Sequence, residues 1–197
     1  MTVTALLYGL FVYWYVGQGQ PVTTSELKAM LSSIPLKSKI NKEDLYNLAA
    51  VDTGGEFYMV NLIKWNKAAR YPVGSPLELE VDPMAANDRY AKMIGPELLK
   101  RASFPVFQSS ILANAIVREE GDTTWDTVVV VRYRSFRDFI DVYASILQSG
   151  AIVHKFAAID KTHVMPTRIT PMFGYFVPVS VLLLLFFIAT VLSSCCN

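Results

Sequence analysis

Every side-chain charge in this chain lies between Glu26 and Arg168. An uncharged, apolar terminus states which solvent it prefers, so this partition narrows the available folds more than any motif does. The C-terminal run from Phe173 to Leu192 (FGYFVPVSVLLLLFFIATVL) has about the length a helix needs to cross a ~30 Å hydrocarbon core. Pro178 near its start would at most kink such a helix. The rival reading, a buried core helix, has to hide a long uncharged stretch. The N-terminal run from Val3 to Gly17 (VTALLYGLFVYWYVG) is shorter and crowded with Tyr8, Phe11, Tyr13, Trp14 and Tyr15. Tyr and Trp favour the membrane–water boundary. A retained membrane helix, a cleaved secretory signal and a soluble or interfacial helix all fit this segment. The absence of Lys or Arg ahead of it, and the unconvincing cleavage site at Val16 to Gln20, favour the first.

If both ends span, Lys28, Lys37 and Lys39 follow the first span, and Lys155, Lys161 and Arg168 precede the second. The positive-inside rule then puts the middle in the cytoplasm. The expectation is an integral membrane protein whose partner is the lipid bilayer. Its parts are an apolar N-terminal segment (1–20), a helical lead-in (21–55), a folded domain (56–169) and a C-terminal transmembrane helix (171–194). Cys195 and Cys196, the two cysteines of the chain, sit in the tail. Cys195 is one position too late for a C-a-a-X prenylation site, and palmitoylation or an unmodified tail remain as readings.

The charged middle carries 18 basic and 17 acidic residues. They are interleaved rather than gathered into a stripe, which argues against a nucleic-acid partner. With no cysteine in it, the domain has neither a disulfide nor a thiolate ligand.

Along the middle, Thr23 or Thr24 caps a short helix from Ser25 to about Ser33, and a second helix fits Lys42 to Ala50 before an Asp52-Thr53-Gly54-Gly55 turn. Glu56 to Trp65 reads as a strand. Met84 to Arg101 is helical, with a kink or restart expected at Gly95-Pro96. Val106 to Val117 and Trp125 to Tyr133 read as strands around a polar turn. Ser135 caps a helix to about Leu147, where Phe136, Phe139, Ile140, Tyr143 and Ile146 recur at spacings of 3 and 4. Ala158 to Ile169 supplies a fourth strand. The order β-α-β-β-α-β is the α+β, ferredoxin-like arrangement. Val128 to Val131 is apolar on both alternating faces, so both faces of that strand should be buried. Two helices cover one face of a four-stranded sheet. A second copy of the sheet is the simplest cover for the other, and a homodimer, a dimeric α+β barrel, is expected.

The segment Phe57-Tyr58-Met59-Val60-Asn61-Leu62-Ile63-Lys64-Trp65, with Ala68-Ala69-Arg70-Tyr71, the helical Arg89-Tyr90, and Val128 to Arg132 before Ser135-Phe136, resembles the DUF1330 family. The likeness covers roughly Gly55 to Ile169. It implies membership of the dimeric α+β-barrel superfamily, alongside antibiotic-biosynthesis-type monooxygenases and EthD-like proteins. The family's own biochemical role is undefined. The N-terminal extension and apolar ends depart from its pattern.

Four residues are candidates for ligand contact. Asn61 places an amide in an apolar strand, where it must find a hydrogen-bond partner or face a ligand. Tyr71 and Tyr90 match aromatic positions of the family and line a pocket or simply pack. His163, one of two histidines with His154, is a possible general base or axial haem ligand, or a structural histidine. The spacing of the histidines is no metal motif, and no cofactor is called for. No catalytic triad order or phosphate-binding glycine loop occurs. The leading reading is a membrane-anchored homodimeric barrel of undefined role that binds a small, largely apolar molecule or mediates assembly. The alternative is a cofactor-independent or haem-using monooxygenase built on Asn61, Tyr90 and His163.

Overall fold

A computed structural model describes residues 2–17, 19–32, 41–75, 80–113, 115–117, 119, 121 and 123–170. Three helices come first: α1 (Thr2–Val16), α2 (Thr24–Ser32) and α3 (Lys42–Ala50). Then follow β1 (Phe57–Trp65), α4 (Pro83–Lys100), β2 (Phe104–Ser110), β3 (Thr127–Tyr133), α5 (Phe136–Gln148), α6 (Ile152–Ala158) and β4 (Ile159–Thr167). The strands form one antiparallel sheet in the order β2-β3-β1-β4. With its helical crossovers this is the expected ferredoxin-like topology. The chain divides into the unit Met1–Thr167 and a second from Arg168 to Asn197, of which 168–170 are described.

Register assigns the faces of the sheet. Phe57, Met59, Asn61 and Ile63 of β1 are buried on alternate positions, and they pair with Tyr133, Val131, Val129 and Thr127 of β3. This face meets the helices. Phe136, Ile140, Val142, Tyr143 and Ile146 of α5 close the core together with Leu27 and Leu31 of α2 and Leu45 of α3. The opposite face carries cross-strand rows. Its middle row is Phe107, Val130, Val60 and Met165, apolar from edge to edge. Phe107 and Met165 are exposed. Both prolines of the sheet, Pro105 and Pro166, lie on the edge strands β2 and β4, where a missing N–H is tolerated.

The N-terminal segment corrects the membrane expectation. Among the described residues no helix is long and apolar enough to cross a membrane. Helix α1 has 15 residues, about 22 Å at 1.5 Å per residue, short of a ~30 Å core. Its C-terminal end is tied to the sheet. Arg132 on β3 is buried, donates Nη2 to the Tyr15 carbonyl (3.0 Å) and Nη1 to the Ala102 carbonyl (2.6 Å), and pairs with Glu56 (2.6 Å). Its guanidinium carbon stands 3.8 Å above the Tyr15 ring. Arg134 donates Nη1 to the Trp14 carbonyl at 3.0 Å. Cations at a helix C-terminus satisfy its orphan carbonyls and oppose its dipole. Of the aromatic crowd read as an interface belt, Tyr15 joins this clamp by meeting Phe104, and Phe11 stacks on Tyr15, while Tyr8, Phe11 and Tyr13 are exposed. The localisation as an integral membrane protein is withdrawn on this finding. The segments 171–194 and Cys195-Cys196 lie outside the described residues.

Smaller differences have local causes. Helix α4 runs unbroken through Gly95-Pro96, because Pro96 falls near its C-terminal end and costs one hydrogen bond there. Strand β2 stops at Ser110 rather than Val117. Helix α6, which no capping side chain announces, fills the stretch between α5 and β4.

Candidate functional site

The four sequence candidates are dispersed. Asn61, on the helix-facing side of β1, is buried and donates Nδ2 to the Met59 carbonyl (2.9 Å) and the Val129 carbonyl (3.3 Å). Its amide is spent within the sheet. His163, on β4, pairs with Leu62 and therefore belongs to the opposite face. It is exposed, and its ring lies 4.8 Å from that of Trp125. Asn61 and His163 do not converge.

Tyr71 follows β1 on a loop held by the Arg70 amide donating to the Ala157 carbonyl (2.9 Å). Its hydroxyl is 2.9 Å from Nδ1 of His154, a histidine almost fully buried on α6. Burial, and then the Glu80 carboxylate, raise the Tyr71 phenol above its ordinary value, with Arg89 opposing. Burial, and then the Arg89 guanidinium, lower the His154 imidazole, with Glu80 opposing. Both groups are consequently neutral near pH 7, and the pair acts as a part-buried hydrogen bond joining loop to helix. Nearby, Asn66 donates Nδ2 to the Ala157 carbonyl (2.9 Å), while its Oδ1 is buried without a protein partner.

Tyr90, on α4, is half-buried against the main core. Burial raises its phenol strongly, with the Tyr133 and Tyr143 phenols adding to the effect. Its ring lies 5.5 Å from Nζ of Lys155, a residue of α6 that sequence reasoning did not single out. Lys155 borders a cleft of about 520 Å³. Met59 of β1, Leu45 and Leu48 of α3, Phe139 and Tyr143 of α5, and Ile152 and Phe156 of α6 give it apolar walls. Thr162, Val164 and Pro166 of β4 form the side along the free edge of the sheet, where His163 and Trp125 meet the rim. The Thr162 hydroxyl is buried there without a partner. Burial lowers the Lys155 ammonium to about 8. The sequence signal for this residue was available: a lone lysine inside Ala151-Ile152-Val153-His154-Lys155-Phe156-Ala157-Ala158, a stretch with no other charged side chain.

A second cleft, of about 640 Å³, lies beside the end of α1 and the starts of α2 and α5. Its charges are already matched. Arg134 pairs with Asp138 at 2.7 Å, and Arg137 with Glu26 at 3.2 Å. The apolar cleft is the better candidate for a ligand, because pockets for small molecules are mostly apolar with few polar groups. Neither cleft is lined by Tyr71. Among the described residues no group of His, Cys, Asp and Glu is arranged to hold a metal ion.

No family model matches the chain, and no curated protein does. Solved structures do. The methylated RPA0582 protein matches with a TM-score of 0.57 at 22% identity, covering 68% of this chain and 94% of that one. The RPA0582 protein of unknown function from Rhodopseudomonas palustris gives 0.57 at 21%, covering 68% and 97%. A dimeric protein of unknown function with a ferredoxin-like fold, from Bacteroides fragilis, gives 0.34 at 10%, covering 58% and 97%, too remote to bear on this chain. The first two likenesses show a shared α+β fold.

Proposed function

We propose that this protein is a homodimeric α+β barrel that binds a small, largely apolar molecule in the cleft between its helices and β4. The cleft carries the reading. Its volume of about 520 Å³ falls within the roughly 300–1,000 Å³ of small-molecule sites. Apolar walls from four elements line it, and Asp44, Lys155, Asp160, Lys161 and His163 set charged or titratable groups at its border. The homodimer rests on the uncovered middle row Phe107, Val130, Val60 and Met165. Such a row, left in water, is the kind of surface that a second sheet buries.

Fluorescence titration with N-phenyl-1-naphthylamine, an uncharged apolar probe, tests the cleft. Val164 borders it from the edge strand and is exposed, so Val164→Trp should fold normally while filling the space. The expected outcome is saturable binding that weakens roughly tenfold or more in the variant, the effect of losing ~1.4 kcal/mol or more of contact. Equal binding by both proteins would place the probe elsewhere.

A further inference from the structure

The cleft holds a basic group of unusual setting. Half-buried Lys155 sets its Nζ over the Tyr90 ring at 5.5 Å and borders the cleft beside the apolar side chains of Leu45, Leu48, Met59, Phe139 and Ile152. Among the described residues no carboxylate lies within ion-pair distance of it, although Asp44 of α3 and Asp160 of β4 border the same cleft. The other titratable groups facing this space are Tyr143 of α5 and Lys161 and His163 of β4. An ammonium taken out of water without a counter-charge favours its neutral form. A desolvated lysine in an apolar pocket is the setting in which an amine becomes a nucleophile toward carbonyls.

We infer that Lys155 captures a small apolar aldehyde or ketone in this cleft as an imine. The inference deepens the ligand-binding reading and rests on it. The neutral Nζ lone pair attacks the carbonyl carbon, and the C=O π pair moves to oxygen, which takes up a proton. The carbinolamine so formed loses the former carbonyl oxygen as water and a proton from Nζ, leaving a C=N bond. Amine and carbonyl give imine and water, with no oxidant or reductant consumed. The apolar walls limit the access of water that would reverse the step. Burial, the cause that holds Lys155 near 8, supplies neutral amine at a pH where exposed lysines stay charged.

The test uses the full chain, hexanal and cyanoborohydride, which fixes an imine as a secondary amine. Labelled sites are read by peptide mapping, in parallel with naphthylamine binding. The inference predicts preferential hexyl labelling of Lys155 at pH 7.5, roughly tenfold faster than at exposed lysines such as Lys28 or Lys100. The rate should level off above about pH 8. It should also fall when naphthylamine occupies the cleft. Lys155→Arg, which keeps the charge, should lose the preferred label while the exposed Lys28 and Lys100 react at their former rates. Even labelling of all lysines by a protein that binds naphthylamine would overturn this inference alone. Failure of both labelling preference and probe binding would overturn the cleft reading with it.

Discussion

At the scale of single residues, the chain satisfies buried polar groups internally, with Asn66 Oδ1 and Thr162 Oγ1 as exceptions among the described residues. Asn61 shows the rule: the sequence demands a partner for a buried amide, and two backbone carbonyls of the sheet provide it. His154 shows its consequence for pH. Its imidazole, mainly through burial, is held below the ordinary value of 6.5. The unfolded chain therefore binds this proton more readily than the folded one. The contribution to stability is complete above about pH 6.5 and is lost as the pH falls toward the folded value. The expected outcome is a melting temperature that drops between pH 7.5 and 5, with a smaller drop in His154→Gln, measured by thermal denaturation. An identical drop in the variant would assign the effect to other groups. Which of the candidate side chains meet one another was not legible in the sequence. Tyr71 finds His154 across 83 positions of chain, and Arg132 finds backbone carbonyls that no side-chain pattern announces.

At the scale of elements, local signals were reliable where a cap and a periodicity agreed. Ser135 accepts from the Asp138 amide at the start of α5, and the 3-and-4 spacing of its apolar residues matches the face it buries. Helix α6 escaped because it is short and uncapped. Helix α1 was misread because lack of charge looks the same whether a helix seeks lipid or is clamped by arginines at its end. The run Val128 to Val131, expected to be buried on both faces of β3, is half-buried throughout in the protomer, and register separates its members. Val129 pairs with Asn61 on the helix side, whereas Val130 lies in the open row with Val60. If the open row is the proposed dimer interface, Val130→Lys should leave the protomer folded and weaken association by about tenfold or more in dissociation constant, because it would bury a charge there. Val129→Lys should instead destabilise the protomer by several kcal/mol through burial of an unpaired charge. Sedimentation equilibrium combined with circular dichroism distinguishes the two. A Val130→Lys protein with unchanged association would remove the sheet from the interface.

At the scale of the molecule, the described residues leave apolar surface in the open row of the sheet and in the cleft under its helices, and also on α1, where Leu6, Leu7, Leu10 and Phe11 are exposed. A second copy is proposed to cover the open row, and a small molecule to fill the cleft. Native mass spectrometry of the full chain with N-phenyl-1-naphthylamine reads both assignments at once. The predicted species is a dimer carrying two probe molecules, with the probe count falling and the dimer retained in Val164→Trp. A monomer, or a dimer whose probe count is unchanged by Val164→Trp, would contradict it.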